Sequence, residues 1–507
     1  MSRPIPHASG SGAPRASAPA FRPASRLVRL TGSASLLILG ALAAVPAARA
    51  DDLMQALAMA YATNPDIQEA RARTRAQDES VQIARAPGLP SLQAVGRFNR
   101  SLLVGENNST LPTRTLTGEV DASIPIYAGG GIRNATNAAK QRVYASRKDL
   151  TSAESSVFAS VVENYLSVIH DEAVVQLNQK NVDALEVNLK ATTARFNYGD
   201  LTRTDVAQSR ERLYLARAVL QTAQVQLAGT REKYIAVVGQ QPGVLTSPPP
   251  MRGLPASVDD AVNIAIDNNP DLASARLMTR AYGYDAKAAA SARLPKIQLF
   301  GNFQYNKYFD TYGGYLSQYY AQYDKIAAVG VQITVPIFQG GQPAAQERQA
   351  DSQRSAALER TTSVERQVIQ GVRAAFIAWR SSDAIIAANQ TAVEAAEQSL
   401  IGVRNENKIG NRTIIDILNA EQELLSAQVQ LVSARRDAYI AAFNLLTAMG
   451  RSTARDIGLD NIYDPVAHYR KVSGSIWDWG STTTLSPVST TTRQVPVQTG
   501  QIGPQLP

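Results

Sequence analysis

The sequence of 507 residues contains no cysteine, three histidines and only 6% aromatic residues. Without cysteine the chain has no disulfide, thiolate metal site or cysteine nucleophile, and no N-terminal cysteine that could carry a lipid. The histidines, His7, His170 and His468, lie far apart and lack the spacing of metal ligands. These absences argue against a metal site, and no cofactor is expected.

Acidic residues are missing from the first 50 positions, which hold six arginines and no Lys, Asp or Glu. These arginines account for most of the formal net charge of +8, so the rest of the chain is close to neutral. A nearly neutral chain offers no general electrostatic attraction for nucleic acid. No nucleic-acid partner is therefore expected.

Residues 1–50 have the pattern of a secretory signal peptide. Arg26 and Arg29 precede an apolar run at 36–45, and Ala48-Arg49-Ala50 has the form of a cleavage site. A membrane anchor is the alternative, but the run is short for a spanning helix. The pattern predicts export of a mature chain beginning at Asp51, in which no later stretch is apolar enough for a transmembrane helix.

An internal duplication organises the chain. Landmarks of the first half recur in the second with an offset of 205 residues early and 211 residues later. A nearly constant offset is the signature of a repeat. The matched landmarks are Asn64-Pro65-Asp66 with Asn269-Pro270-Asp271, Leu89-Pro90 with Leu294-Pro295, and Gly199, Asp205 and Gly239 with Gly410, Asp416 and Gly450.

The duplication sets the predicted boundaries. A first repeat at 51–240 and a second at 256–450 are joined by a Pro-rich linker at 241–255. A C-terminal segment at 451–479 follows the second repeat, and the family resemblance given below implies that it is equatorial and periplasmic. The Ser/Thr/Gln/Pro-rich residues 480–507 predict a disordered tail.

Long helices dominate each predicted repeat. Helices are expected at about 51–86 and 203–238 in the first half and about 256–292 and 412–449 in the second. Longer helices are expected at about 132–198 and 343–409, each roughly 100 Å long. Gly199 and Gly410 would end the long helices. Apolar residues recur every seven positions, which indicates coiled-coil packing: Val161, Val168, Val175, Val182, Leu189 and Phe196, and Val372, Trp379, Ile386, Val393 and Leu400.

Between these helices, segments of alternating polarity predict two strands in each half. The strand around 115–126 has one apolar face, with Val120, Ala122 and Ile124, and one polar face. The strand around 327–337 alternates in the same way. The loop that precedes it, between the two strands of the second half, is rich in tyrosine, which suits a membrane–water interface. A soluble β-hairpin with exposed aromatics is the alternative.

Four amphipathic strands cannot lie in lipid alone, because an open sheet leaves edge N–H and C=O groups unpaired in hydrocarbon. A transmembrane barrel needs at least about eight strands. If the strands are embedded, several chains must therefore share one barrel, with the helices continuing it on the aqueous side.

In this order of motifs the sequence resembles the TolC family of outer-membrane channel proteins. The resemblance covers about residues 51–470 and rests on the duplicated Asn-Pro-Asp openings, on two strand-end motifs and on the run at 410–418. The strand-end motifs are Ile-Pro-Ile-Tyr-Ala-Gly-Gly-Gly at 124–131 and Val-Pro-Ile-Phe-Gln-Gly-Gly at 335–341. The resemblance implies a homotrimer in the outer membrane of a Gram-negative bacterium, with a shared twelve-stranded β-barrel and an α-barrel tunnel.

The implied function is export of proteins or small toxic compounds, in type I secretion or efflux. The implied partners are a periplasmic adaptor protein, an inner-membrane ABC or proton-driven transporter, and outer-membrane lipid.

The resemblance also implies a gate at the periplasmic helix tips. Asp205 and Arg412 match positions that latch the tips, and Asp416 matches a ring of acidic residues that favours cations. An aromatic latch residue of the family is replaced by Asn407, and a second ring position by Asn419, so the corresponding link and the cation selectivity are expected to be weaker. The residues alone leave an alternative, because Thr202 with Asp205 and Thr413 with Asp416 are also helix-capping pairs.

Two other functions remain open from the residues. A periplasmic adaptor or coiled-coil scaffold would explain the heptads and the export signal, but not four symmetrically placed strands. An enzyme is not expected, because no nucleophile, metal or phosphate-loop pattern is present; the glycines at 129–131 and 340–341 lack the Lys-Ser/Thr ending of a phosphate loop.

Overall fold

The computed structural model describes residues 52–103, 111–480 and 492. All of them belong to one compact unit. The predicted signal peptide at 1–50 and nearly all of the predicted tail at 480–507 lie outside the described residues.

The two halves contain the same elements in the same order. The first half contains α1 (Leu53–Thr63), α2 (Pro65–Arg85), β1 (Ser91–Arg100), β2 (Arg114–Ala128), α3 (Gly131–Asn197) and α4 (Arg203–Val238). The second contains α5 (Val258–Asn268), α6 (Pro270–Ala290), β3 (Lys296–Lys307), β4 (Tyr323–Thr334), α7 (Gln342–Lys408) and α8 (Ile414–Ala448). Two short helices follow, α9 (Ala454–Ile457) and α10 (Ala467–Val472). The predicted long helices are confirmed, since α3 and α7 each have 67 residues.

The single helix predicted over 51–86 is wrong, because the Asn-Pro-Asp motif breaks it into α1 and α2. The Asn64 side chain accepts hydrogen bonds from the backbone N–H groups of Asp66 and Ile67 and so caps α2, with Pro65 as the first helical residue. Asn269 caps α6 in the same way. The helix predicted over 256–292 is therefore also two helices, α5 and α6.

The same asparagines join α4 to α2 and α8 to α6 end to end. The Asn64 amide donates to the backbone carbonyl of Val237 at the end of α4, over 2.9 Å. Asn269 donates to Ala448 at the end of α8, over 3.0 Å. Gly450 has a left-handed backbone with φ of 72°, and a Cβ there would lie 2.6 Å from the carbonyl oxygen of Asn268. Glycine at position 450 thus permits the close approach by which α8 continues into α6.

The long helices pack along these stacks as the heptads predict. α3 contacts α2, α4, α6 and α8, and α7 contacts α6 and α8, so the two halves lie side by side. Every predicted heptad residue is buried or half-buried. The largest core surrounds Phe158, Val161 and Tyr165 in the middle of α3, where α1, α4 and residues after α9 meet it. None of the described helices is both long enough and apolar enough to cross a membrane.

The four strands form one antiparallel sheet in the order β1-β2-β3-β4. The register aligns Val120 with Ala94, Phe303 and, through Phe303, Ala327, so the apolar positions of all four strands share one face. That face is exposed: Leu92 is 76% and Val329 81% accessible. The alternation predicted from the sequence is therefore confirmed, and the sheet presents an uncovered apolar face.

Candidate functional site at the helix tips

The two hairpins α3–α4 and α7–α8 end in turns of the same construction. Gly199 and Gly410 adopt left-handed φ angles of 84° and 83°. In each turn the glycine N–H bonds the carbonyl of Phe196 or Asn407, and the next N–H bonds one residue further back along the helix. These paired bonds satisfy the last carbonyls of each long helix and reverse the chain tightly.

Asp205 lies at the start of α4 and caps it. Its carboxylate accepts from the backbone N–H and the hydroxyl of Thr202, both over 2.8 Å, while the Thr202 hydroxyl accepts from the Asp205 N–H. The capping alternative is therefore realised in the protomer. Within the described residues Asp205 makes no ion pair, and its side chain stays accessible at the tip.

Asp416 occupies the equivalent place on α8. Its carboxylate accepts from the Thr413 N–H over 2.9 Å and from the Thr413 hydroxyl over 2.7 Å. These hydrogen bonds, with a smaller contribution from Arg412, hold the pKa of Asp416 below its ordinary value. The hydrogen bonds with Thr413 therefore stabilise the charged form of Asp416 near the tip.

Arg412 pairs within its own hairpin. Its Nε donates to Glu406 over 2.8 Å, and this hydrogen bond raises the pKa of the guanidinium above its ordinary value. The structure of one protomer thus does not bring Arg412 and Asp205 together. Both the Arg412 and the Glu406 side chains are about half exposed, so the pair is open to exchange.

Asn407 links the two hairpins at their ends. Its amide donates to the backbone carbonyl of Arg412 over 2.7 Å, and its Oδ1 accepts from Arg195 on α3 over 3.5 Å. The latter distance is at the limit for a hydrogen bond. A weak link therefore persists where the sequence predicts a weakened or absent one.

An apolar contact above the tips holds α8 against the α3–α4 pair. Leu418 is 2% exposed and Ile414 9%, and they pack with Val182, Leu185 and Leu213. Burying such side chains contributes on the order of 2 kcal/mol each. α8 is thus polar at Asp416, while its neighbouring face is held by apolar packing.

Glu421 is a site residue that the sequence analysis missed. It lies on the buried side of α8 and is 6% exposed. Its two carboxylate oxygens accept from the Asn188 amide of α3 over 2.8 and 2.9 Å, and Oε1 also accepts from Arg404 of α7 over 2.8 Å. One buried carboxylate thus joins three helices, and we refer to Glu421, Asn188 and Arg404 as the Glu421 node. The sequence does contain a signal for this residue, because Glu421 interrupts the apolar face of the helix formed by Leu418 and Leu425.

Asn419 is held from the first hairpin. Arg212 on α4 donates to its Oδ1 over 3.0 Å. The neutral position predicted to weaken the acidic ring is therefore a further bridge between α4 and α8. In the described part of the chain, no group of three or more His, Asp or Glu residues could hold a metal ion.

Comparisons with known proteins agree with this architecture. The profile of the outer membrane efflux protein family matches residues 56–240 and, again, 261–451. The chain belongs to this family. The outer membrane efflux protein BepC of Brucella suis is 33% identical over 441 residues, which cover 87% of this chain and 94% of BepC. The outer membrane protein TolC of Escherichia coli is 26% identical over 420 residues, covering 81% of this chain and 84% of TolC.

A solved structure shows the same fold for this efflux protein. The Campylobacter jejuni CmeC outer membrane channel superimposes with a TM-score of 0.70 at 16% identity, covering 83% of this chain and 88% of CmeC. The efflux protein is thus an outer-membrane channel of the TolC type, which decides against the adaptor or scaffold alternative. The relatives are channel proteins rather than enzymes.

Proposed function

We propose that this efflux protein works as a homotrimer whose four-stranded sheets close into one twelve-stranded barrel in the outer membrane. The observation that carries the proposal is the sheet itself. Within the described residues β1 and β4 each pair on one side only, and the apolar face is uncovered. Membrane insertion covers the face, and closure with neighbouring copies pairs the edges.

The helices would continue this barrel as a tunnel across the periplasm. Each long helix of 67 residues is about 100 Å long. At that distance from the sheet, the tips can meet a periplasmic adaptor and an inner-membrane transporter of the ABC or proton-driven class. Proteins or small toxic compounds would pass from that transporter through the tunnel without entering the periplasm.

The tips would form the gate of the tunnel. In the trimer, Arg412 and Asp205 belong to neighbouring copies that can approach, although in one protomer each has another partner. The Arg412–Glu406 pair is exposed and exchangeable, so a latch there can be released by adaptor contacts at small cost. The Glu421 node is buried and would limit how far α8 can swing from α3.

Asp416 would face the narrowest point as one member of a ring of three. Its Thr413 hydrogen bonds keep it charged, so it attracts cations at neutral pH.

Planar-bilayer recording tests the proposal. The detergent-purified mature protein should give discrete, small, cation-selective openings. Asp416→Asn keeps an acceptor for the Thr413 cap but removes the charge, so cation preference and block by multivalent cations should both fall. Asp437→Asn, an exposed carboxylate further along α8, is the matched control and should change neither.

Two results would contradict it. An inserted oligomer that never conducts, even with the tip contacts removed, would reject the pore. Equal cation preference in the parent and in Asp416→Asn would remove Asp416 from the conduction path.

A further inference from the structure

The C-terminal segment that contains α10 runs along α2 toward the sheet. His468 on α10 contacts Asp78 of α2, with Nδ1 3.3 Å from Oδ2. The next residue, Tyr469, packs beside Val81, one turn further along α2, and the Gln82 amide donates to the Val472 carbonyl over 2.9 Å. Successive residues of α10 thus contact successive residues of α2 in the direction of β1.

α10 ends at the base of the sheet. Ser473 lines a cleft of about 920 Å³ together with Leu89, just before β1, and residues 125–128 at the end of β2. The exposed apolar band of the sheet begins here, with Ile126 64% and Leu92 76% accessible. Ser473 therefore lies at the level where the strands pass from water into hydrocarbon in the proposed membrane placement.

Three bulky apolar side chains follow Ser473 and remain uncovered in the protomer. Ile476 is 73%, Trp477 74% and Trp479 87% exposed. Trp477 is four residues beyond Ser473, so the chain holds it within about 14 Å of the base of the sheet. Two of the three tryptophans of the chain, separated by Asp478, thus leave a large apolar surface exposed to water.

The surroundings carry mostly positive charge, with Asp478 as an acidic residue inside the segment itself. Arg85, Arg133 and Lys140 line the same cleft, and no carboxylate is found among the described residues that line it. Lys471, at the end of α10, is also exposed. Basic side chains beside tryptophan at one level are the pattern of a membrane interface with anionic phospholipid.

We propose that residues 473–480 are an interfacial anchor, in which Trp477 and Trp479 insert at headgroup level into the periplasmic leaflet of the outer membrane. The occupant of this surface is anionic phospholipid. The inference rests on the proposed placement of the sheet in the membrane. It goes beyond the export function, because it concerns how each protomer is held at a fixed depth without a lipidated cysteine.

Tryptophan fluorescence in vesicles tests the anchor. The Trp379→Phe variant keeps only Trp477 and Trp479 as emitters. It is reconstituted into phosphatidylethanolamine–phosphatidylglycerol vesicles with acyl chains brominated near the headgroup or near the chain end. Emission should be quenched strongly by bromine near the headgroup, weakly by bromine near the chain end, and little by iodide in the buffer.

The Trp477→Ser, Trp479→Ser double variant is the matched control. It keeps only Trp379, which lies 37 residues into α7, about 55 Å along that helix from the sheet. Neither brominated lipid should quench it.

Three outcomes would overturn the anchor. Quenching by iodide without quenching by lipid would leave the tryptophans in water. Protection from both quenchers would mean that protein covers them, as in a contact with a second copy. Quenching only near the chain end would bury them too deeply. Resistance of the same vesicles to carbonate extraction shows insertion independently, so a failed anchor is distinguishable from a failed membrane placement.

Discussion

At the scale of single residues, Glu154 of α3 is a buried acid with an imperfect partner. Arg71 lies 3.9 Å away, and its guanidinium is also stacked between the rings of Tyr61 and Tyr463. Burial raises the pKa of Glu154 from 4.5 to about 7, and the attraction of Arg71 only partly opposes this. The folded chain therefore holds a proton here that the unfolded chain releases.

This difference makes stability depend on pH. Between about pH 4.5 and 7 the native state binds more protons at Glu154 than the unfolded state, so its contribution to stability falls as pH rises through that window. Gln cannot titrate. The Glu154→Gln variant should therefore gain stability relative to the parent, by up to about 3 kcal/mol per chain between pH 4 and 8.

Thermal unfolding followed by circular dichroism in detergent, at both ends of this range, measures the gain. Glu163→Gln changes an exposed glutamate on the same helix and should show no such trend. A parent-to-variant difference that is constant with pH would mean that Glu154 stays ionised in the folded chain.

At the scale of elements, the contact between α8 and the α3–α4 pair combines an apolar seam with polar bridges. Leu418 and Ile414 supply the seam, while Glu421 and Asn419 supply bridges to α3 and α4. The seam stabilises this contact in general, and the bridges fix its geometry. In the proposed gate, we expect opening to break the bridges nearest the turn first.

The bridges predict how variants behave in bilayers. Glu421→Gln keeps an acceptor for Asn188 but loses the charge that binds Arg404, and Arg412→Ser removes the exposed pair at the turn. Each should raise the open probability, Glu421→Gln by roughly fivefold and Arg412→Ser by less, because the Arg412 pair is exposed to solvent. Single-channel recording gives this ratio.

Arg73→Ser is the matched control for the recordings, because it removes another exposed, ion-paired arginine, on α2 and far from the tips. It should conduct like the parent. If all three variants behave alike, the tip contacts only cap and pack the helices.

The same elements separate what the sequence could predict from what it could not. Lengths of α3 and α7 and the polarity of the sheet faces follow from local periodicity, and both are confirmed. The break at Asn64 is also a local signal, because asparagine followed by proline is a typical helix start. The prediction of one helix over 51–86 uses this motif only as a mark of the internal repeat. The Glu421 node needed Asn188 and Arg404, which are far away in sequence. The sequence analysis pairs Arg412 with Asp205, but Glu406 is a nearer acid on the same hairpin and binds Arg412 instead.

At the scale of the whole molecule, β1 and β4 each keep one edge without a partner among the described residues, and the proposed barrel closes these edges with three copies. Size-exclusion chromatography with light scattering should give about three times the mass of the mature chain in detergent. Because the chain has no cysteine, a single cysteine at Ala94 on β1, combined with one at Ala327, Val329 or Val331 on the same face of β4, gives unambiguous cross-links. At least one pair should produce a ladder of dimers and trimers.

Variants carrying only one of these cysteines are the controls and should stay monomeric on denaturing gels. A monomeric mass, or no ladder from any pair, would rule out closure through the sheet edges.

α3 and α7 have the same length, 67 residues each. If both hairpins reach one level in the proposed tunnel, a longer or shorter relative should change both halves together. A change of seven residues in each helix preserves which side faces its neighbour and alters the reach by about 10 Å. We therefore expect the reach of such channels to differ in paired steps of that size, since a deletion in one half alone would leave the two tips at different heights.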